Sequence, residues 1–290
     1  MPSLRRCPGL GRIIVAAFLI WMVLSSRQRI RKFISSEVYS HALVNSTLGF
    51  ERIMVISTGD SGRIQGIINA SMYTGLQLDI PYQESWSLDV AESFRRNKMQ
   101  GLEPKTGIGQ TQCWLGHLNV LREVVHQSIT TALIFEDDVD WDVAIKKEIG
   151  LVGPLLHQIW PCDGDDNTPY GTCWDILWLG HCGDLVPRDA LSISDDTSLP
   201  SSIYEENDGE PIPFPAQLRM VHVSQGPVCT YAYAVTKQSA YKLIHMVGDG
   251  IDETTSTQLR LWCQDGSLRC ITSYFITTGP EDNWQVRLPG

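Results

Sequence analysis

The sequence predicts an α/β domain with a largely parallel central sheet. Short apolar or β-branched runs alternate along the chain with segments whose apolar residues recur at helical spacing. RIMVIS at 52–57 precedes a helical pattern at 64–76, and an apolar stripe at 114–127 precedes the apolar run 130–135. Such alternation is typical of domains in which helices pack on a mostly parallel sheet.

The remaining elements follow the same pattern. WDILWLG at 174–180 and TYAYAV at 230–235 predict two further strands, and apolar spacing after the second predicts a helix. The Ser/Asp/Glu/Pro-rich stretch at 187–215 predicts a long surface loop. The helix at 114–127 is the most regular, because its apolar residues form one stripe: Leu115, Leu118, Leu121, Val124 and Val125.

Length and composition limit the function classes. With 290 residues and 43% hydrophobic content, the chain is long and apolar enough for a substantial core, which excludes a disordered protein. The net charge of −10 argues against a nucleic-acid-binding protein, which normally carries a basic face. The acidic balance does not by itself identify a substrate.

An apolar run near the N-terminus predicts a membrane segment. IIVAAFLIWMVL occupies 13–24, with basic residues on both sides. We expect a signal-anchor over 13–26, after a cytoplasmic tail at 1–12 and before a stem at 27–49 and a domain at 50–290. A cleaved signal peptide and a buried segment are the alternatives, since the run falls between the lengths typical of these classes.

Sequons and cysteines favour a domain on the lumenal side. Asn45-Ser46-Thr47 and Asn69-Ala70-Ser71 are glycosylation sequons, and seven of the eight cysteines follow the apolar run. Many cysteines suit an oxidising compartment, and Cys263 with Cys270 is the best candidate for a local disulfide. Because seven is odd, we expect one unpaired thiol; no C-x2-C zinc spacing occurs. We therefore expect a type II, single-pass protein of the Golgi or ER membrane.

The most unusual stretch is ALIFEDDVDWD at 132–142. Glu136, Asp137 and Asp138 directly follow a predicted buried strand, and open α/β sheets bind ligands beyond the carboxyl ends of their strands. Adjacent carboxylates repel one another, and Mg²⁺ or Mn²⁺ with a substrate diphosphate would relieve that repulsion. A calcium loop is excluded because Val143 and Ile149 stand where glycine and glutamate are required. A solvated acidic loop is the alternative.

The stretch belongs to a longer block that resembles glycosyltransferase family 25, the family of lipopolysaccharide-biosynthesis and procollagen galactosyltransferase-like proteins. The block CWLGHLNVLREVVHQSITTALIFEDDVDWD begins at Cys113, with Gly116 in place of the usual small hydroxyl residue. WDILWLGHCGD and GPVCTYAYAVTKQSAYKLI are similar to the next two blocks, the former as in fungal-type members. The resemblance implies a GT-A-like nucleotide-sugar-binding domain, metal dependence and transfer with inversion, commonly of galactose.

The resemblance also implies site residues. Glu136 and Asp138 are the expected metal ligands, and His222 would complete the shell, although a plain strand histidine is its alternative. Asp137 would face the sugar or ribose of the donor. Arg63, His117 and His181 are further expected contacts of the donor, with packing or capping roles as the alternatives for the histidines.

The general base is less well defined. An inverting transferase needs one base to deprotonate the acceptor hydroxyl. Asp184 and Asp252 are the leading candidates, Asp140 and Asp142 are further ones, and all four also suit ordinary loop acids.

Two functions remain open on the sequence. The first is a Mn²⁺- or Mg²⁺-dependent enzyme that transfers a hexose from a UDP-sugar to a glycan or glycoprotein, with no nucleic-acid partner. The second is a catalytically inactive relative that binds glycans or partners. The second has support because TGDSGRIQG keeps only Arg63 where the family usually has an arginine-rich turn.

Overall fold

The computed structural model describes residues 45–57, 59, 61–97, 105–161, 168–193, 204–205, 219–248, 250–251, 253–274, 276–278 and 286–287. The described strands, in chain order, are β1 (Arg52–Ile56), β2 (Thr131–Glu136), β3 (Val139–Trp141), β4 (Ile176–Gly180), β5 (Leu191–Ile193), β6 (Tyr204–Glu205), β7 (Arg219–Val223), β8 (Ala232–Thr236), β9 (Cys270–Thr272), β10 (Ile276–Thr278) and β11 (Val286–Arg287). Seven of them form one sheet in the order β1-β2-β8-β4-β9-β7-β5. The others form two pairs, β3 with β10 and β6 with β11.

The central sheet is mixed, so the expected mostly parallel sheet is wrong, although the α/β class is confirmed. Only β1–β2 and β4–β9 pair in parallel. β8 lies between β2 and β4 and runs antiparallel to both. Alternation of strands and helices along a chain does not determine where a late strand inserts, and here the insertion reverses the direction at the centre.

Seven α-helices lie in the described part of the chain: α1 (Ser61–Thr74), α2 (Leu88–Arg96), α3 (Ile108–His126), α4 (Ile145–Glu148), α5 (Gly153–Ile159), α6 (Lys237–Val247) and α7 (Thr255–Gln264). The helices expected at 64–76 and 114–127 correspond to α1 and α3. The structure extends α3 by six residues toward its N-terminus, where Gly107 is the N-cap and Gln110 hydrogen-bonds back to its N–H.

One face of the sheet packs against α3 and α6. The apolar stripe of α3 contacts α6 and α2, and Leu118, Leu121 and Val124 are fully buried. Each such side chain contributes roughly 1.5–3 kcal/mol by leaving water. Trp178 and Tyr233 are buried in the same cluster.

Two disulfides are described, and one of them confirms the expected pair Cys263–Cys270. The other joins Cys182 to Cys229, and Cys173 is disulfide-bonded as well. Cys113 is the free thiol among the described cysteines. None of the helices in the described ranges is long and apolar enough to cross a membrane. The expected anchor at 13–26 lies outside those ranges.

Candidate functional site

Several secondary-structure ends meet at one end of the sheet. β1 and β2 are parallel and finish side by side, with Ile56 opposite Glu136. β4 points the same way, and antiparallel β8 begins there, so the N–H of Glu136 donates to the carbonyl of Tyr231 at 3.0 Å. The helix α1 starts directly after β1, and α3 starts at this end because it runs back toward the beginning of β2. We call this place the C-terminal end of the sheet.

Asp137 and Asp138 form an acidic pair in the turn that follows β2. Arg63, in the first turn of α1, lies 3.4 Å from Oδ1 of Asp137 and 3.2 Å from Oδ2 of Asp138. The other oxygens of the pair, Oδ2 of Asp137 and Oδ1 of Asp138, are buried and have no hydrogen-bond partner among the described residues. Burial and the charge of Glu136 raise the pKa of Asp138 despite Arg63. The acidic pair therefore lacks full compensation of its negative charge.

Glu136 points toward α3 and differs from the acidic pair in its partners. Its Oε1 accepts a hydrogen bond from the Thr230 hydroxyl at 2.5 Å and lies 3.6 Å from Nε2 of His117. Burial would raise the pKa of Glu136, but His117 and Thr230 outweigh burial and hold it below the ordinary value. Nδ1 of His117 lies 2.9 Å from the hydroxyl of Tyr233.

His117 itself is completely buried. Burial disfavours its charged form, yet Tyr233, Cys113 and Glu136 around the ring raise its pKa well above the ordinary value. The sulfur of Cys113 belongs to the same group, since Cys113, His117 and Glu136 bring their ligand atoms within 4.8 Å of one another. The sequence did not predict that Cys113, Thr230 and Tyr233 lie around His117 and Glu136. The Cys113–His117 spacing of four, which places both on one helix face, was the available signal.

His181, Asp184 and His222 form a second buried group on the other side of the sheet's centre. The structure does not bring His222 together with Glu136 and Asp138, because β7 lies four strands from β2, about 19 Å at the usual strand spacing. The reason is the strand order, in which β8, β4 and β9 separate the two. The charge of His222 instead acts on Asp184, where burial still raises the pKa.

The side chain of Asp184 is fully engaged. Its oxygens accept from the Thr272 hydroxyl at 2.7 Å and from the N–H groups of Leu185 and Gln225 at 2.8 and 3.2 Å. These bonds tie the segment after β4 to β9 and to the turn after β7. His181 packs edge-on against Tyr274, with ring centroids 5.0 Å apart. Both residues thus have structural contacts in this second group.

The remaining candidate acids have local roles or lie outside the described ranges. Oδ1 of Asp140 accepts from the N–H of Trp141, and Oδ1 of Asp142 accepts from the N–H of Ala144, at 2.8 and 2.7 Å. The two carboxylates hold the β3 turn. Asp252 lies outside the described residues, so its expected role as a base stays a prediction.

A stretch of the chain is similar to a known enzyme. Over 73 residues, a quarter of this chain, it is 26% identical to procollagen galactosyltransferase 1-A of Xenopus laevis. This likeness relates the chain distantly to glycosyltransferases. The match spans 10% of the length of that relative, and no protein-family model matches the chain.

Taken together, the C-terminal end of the sheet gathers Arg63, His117, Glu136, Asp137 and Asp138. It combines one cationic side chain, a buried imidazole and three carboxylates next to the start of α1. Such a mixture can hold a cation through oxygen ligands and an anion through Arg63 and nearby N–H groups.

Proposed function

We propose that the chain is a glycosyltransferase that moves a hexose from a UDP-sugar to a glycan or glycoprotein acceptor, with galactose as the first sugar to test. The observation that carries the proposal is the pair of buried carboxylate oxygens without partners, on Asp137 and Asp138. The distant likeness to a galactosyltransferase supports the same reaction class. The proposal also includes a glycan or glycoprotein acceptor and a location in the Golgi or ER membrane.

The acidic pair fits a hard divalent cation. Mn²⁺ and Mg²⁺ prefer carboxylate oxygens, and the two unpaired oxygens offer two such ligands at one turn. We assign the cation to Asp137 and Asp138 rather than to Glu136, since Oε1 of Glu136 is engaged by Thr230 and faces His117. When bound there, the cation would offset the negative charge of the diphosphate as the nucleotide leaves.

Arg63 is the second contributor to donor binding. Its guanidinium is half exposed and sits in the first turn of α1, where it can contact a phosphate while remaining near the acidic pair. A guanidinium binds phosphate oxygens through two parallel hydrogen bonds. Arg63 therefore orients the donor, and the acidic pair holds the cation beside it. The general base is left open, since Asp184 is saturated with donors.

The decisive experiment measures UDP release by the purified full-length chain with UDP-galactose and Mn²⁺. We expect Asp138→Asn to reduce turnover by at least about 100-fold, because even partners of metal ligands change activity by 10–100-fold. The matched control is Asp89→Asn, an exposed acid in the first turn of α2, which should leave turnover unchanged. Absence of both turnover with common UDP-sugars and Mn²⁺-dependent UDP binding would contradict the proposal.

A second candidate is the catalytically inactive relative that binds glycans. The observation in its favour is that Arg63 already pairs with both members of the acidic pair. The guanidinium of Arg63, held beside both carboxylates, can take the place of a bound metal ion there. In that case the wild-type chain binds glycans without Mn²⁺, and Asp138→Asn leaves that binding unaffected.

A further inference from the structure

A buried histidine nitrogen at the C-terminal end of the sheet lacks a partner. Nε2 of His117 has no hydrogen-bond partner among the described residues, and the side chain is completely buried. The ring cannot turn freely, because Nδ1 lies 2.9 Å from the hydroxyl of Tyr233. Buried polar atoms are nearly always satisfied, so an unpaired one in a fixed ring calls for a ligand.

Two further side chains converge on that nitrogen. Oε1 of Glu136 lies 3.6 Å from Nε2, and the ligand atoms of Cys113, His117 and Glu136 all fall within 4.8 Å of one another. The nitrogen–oxygen separation is too long for a hydrogen bond. It matches the edge of a tetrahedral metal shell, in which bonds of about 2.0–2.3 Å place ligand atoms about 3.3–3.8 Å apart.

We propose that Cys113, His117 and Glu136 bind a Zn²⁺ ion, with a fourth position open to solvent. A thiolate, an imidazole and a carboxylate are the ligand types that zinc takes in proteins, and the thiolate disfavours Mn²⁺ and Mg²⁺. The site is distinct in its ligands from the acidic pair. Its cysteine and histidine stand four residues apart on α3, so a search for C-x2-C spacing does not detect it.

The surroundings support this ligand set. Tyr233 hydrogen-bonds Nδ1 of His117 and orients the ring, and Thr230 donates to Oε1 of Glu136, as outer-shell partners of zinc ligands commonly do. Cys113 is exposed, which gives the ion a route from solvent. Bound zinc would join the first half of α3 to the end of β2.

The metal-free explanation is a simple ion pair between protonated His117 and Glu136. That pair keeps its charged atoms beyond hydrogen-bond distance and does not include the sulfur of Cys113, to which the Thr255 hydroxyl donates at 3.9 Å. The two explanations differ in one measurable property, which is a bond between a metal and sulfur.

The test uses the full-length chain after chelator treatment, titrated with Co²⁺ as a spectroscopic substitute for Zn²⁺. We expect one equivalent of Co²⁺ to produce a thiolate-to-cobalt charge-transfer band, and Zn²⁺ to displace it stoichiometrically. Cys113→Ser and His117→Gln should each abolish the band. His126→Gln, the matched control at the end of the same helix, should retain it.

The outcomes separate this site from the proposed function. Asp138→Asn should keep the cobalt band while losing UDP release. The zinc site and the proposed function are therefore tested by separate measurements, and either can fail without deciding the other. Circular dichroism of Cys113→Ser checks folding; should His117→Gln not fold, the serine variant alone decides. A wild-type chain without the band, or a band that survives in Cys113→Ser, overturns the proposal.

Discussion

The imidazole of His181 is buried at the end of β4, close to the charge of His222. Burial and that neighbouring charge lower the pKa of His181 to about 3, although backbone groups of Gly183 and Ser273 act in the opposite direction. The ring is therefore neutral in the folded chain at all but strongly acidic pH. An unfolded histidine has its ordinary pKa near 6.5, so the two states bind different numbers of protons below that pH.

This difference predicts a loss of stability in mild acid. The stability that neutral His181 contributes is fully present above about pH 6.5, the pKa of an unfolded histidine. It is lost as the pH falls toward about 3, the pKa of His181 in the folded chain. Each pH unit below about 6.5 should cost about 1.4 kcal/mol of unfolding free energy, or about 2 kcal/mol between pH 7 and pH 5. Urea unfolding at both pH values measures it, comparing the wild-type chain with His181→Gln.

Glutamine does not titrate. Between pH 7 and pH 5, the unfolding free energy of His181→Gln should therefore fall by about 2 kcal/mol less than that of the wild-type chain. His245→Gln provides the control, because His245 is exposed on α6 and its replacement should leave the wild-type pH dependence intact. Equal pH dependence in wild type and His181→Gln would show that His181 is not held neutral by the fold.

At the scale of single elements, strand-to-helix junctions fix the geometry. Thr236 ends β8 and is also the N-cap of α6: its hydroxyl accepts from the N–H of Ser239 at 3.0 Å, and the Ser239 hydroxyl accepts from the N–H of Thr236 at 2.8 Å. This reciprocal box is buried. It sets the angle at which α6 leaves the sheet and packs on α3.

We therefore expect Thr236→Ala to destabilise the chain by about 1–2 kcal/mol, since a buried N-cap leaves its donor without a partner and without water. Ser87→Ala removes the corresponding cap of α2, where the residue is exposed and its oxygen lies 3.3 Å from the N–H of Val90. The loss there should be about 0.5 kcal/mol, because water replaces the bond. Denaturant midpoints of both variants test the ranking, and equal losses would contradict it.

The sequence predicted the elements that have strong apolar patterns. The stripe of α3 and the run that becomes β2 were placed within a few residues of their ends, because each buries one face or both. The helices α2, α4, α5 and α7 were not predicted. Of these, α2 is polar, with Ala91 its one buried residue, and its helix start depends on the Ser87 cap. A local apolar pattern indicates which side chains of a segment are buried. Helices with few apolar residues show little of that pattern.

The candidate site was predictable only in part, for the same reason. The acidic triplet and Arg63 follow predicted strands, so their meeting at the C-terminal end of the sheet could be anticipated. His222 lies within a strand, β7, and its distance from Asp138 depends on strand order. The pairing of Cys113 and His117 with Glu136 likewise depends on where α3 packs, which short sequence spacing does not encode.

At the scale of the whole molecule, the two described disulfides close loops of very different length. Cys182 and Cys229 are 47 residues apart and connect the segment after β4 to the segment before β8, next to Thr230. Cys263 and Cys270 are only 7 residues apart and close the turn between α7 and β9. A cross-link stabilises mainly by restricting the unfolded chain, so the longer loop should contribute more.

We expect the double variant Cys182→Ala/Cys229→Ala to lose about 4 kcal/mol of unfolding free energy, and Cys263→Ala/Cys270→Ala about 2.5 kcal/mol. Guanidinium unfolding of the two variants and the wild-type chain provides the comparison. A larger loss for the shorter loop would mean that packing around Cys263 and Cys270 outweighs chain entropy. Cys229 directly precedes Thr230, so the long-loop cross-link also keeps the Thr230 hydroxyl beside Glu136. The same long-loop variant should therefore weaken the cobalt band at Cys113, whereas the short-loop variant should not.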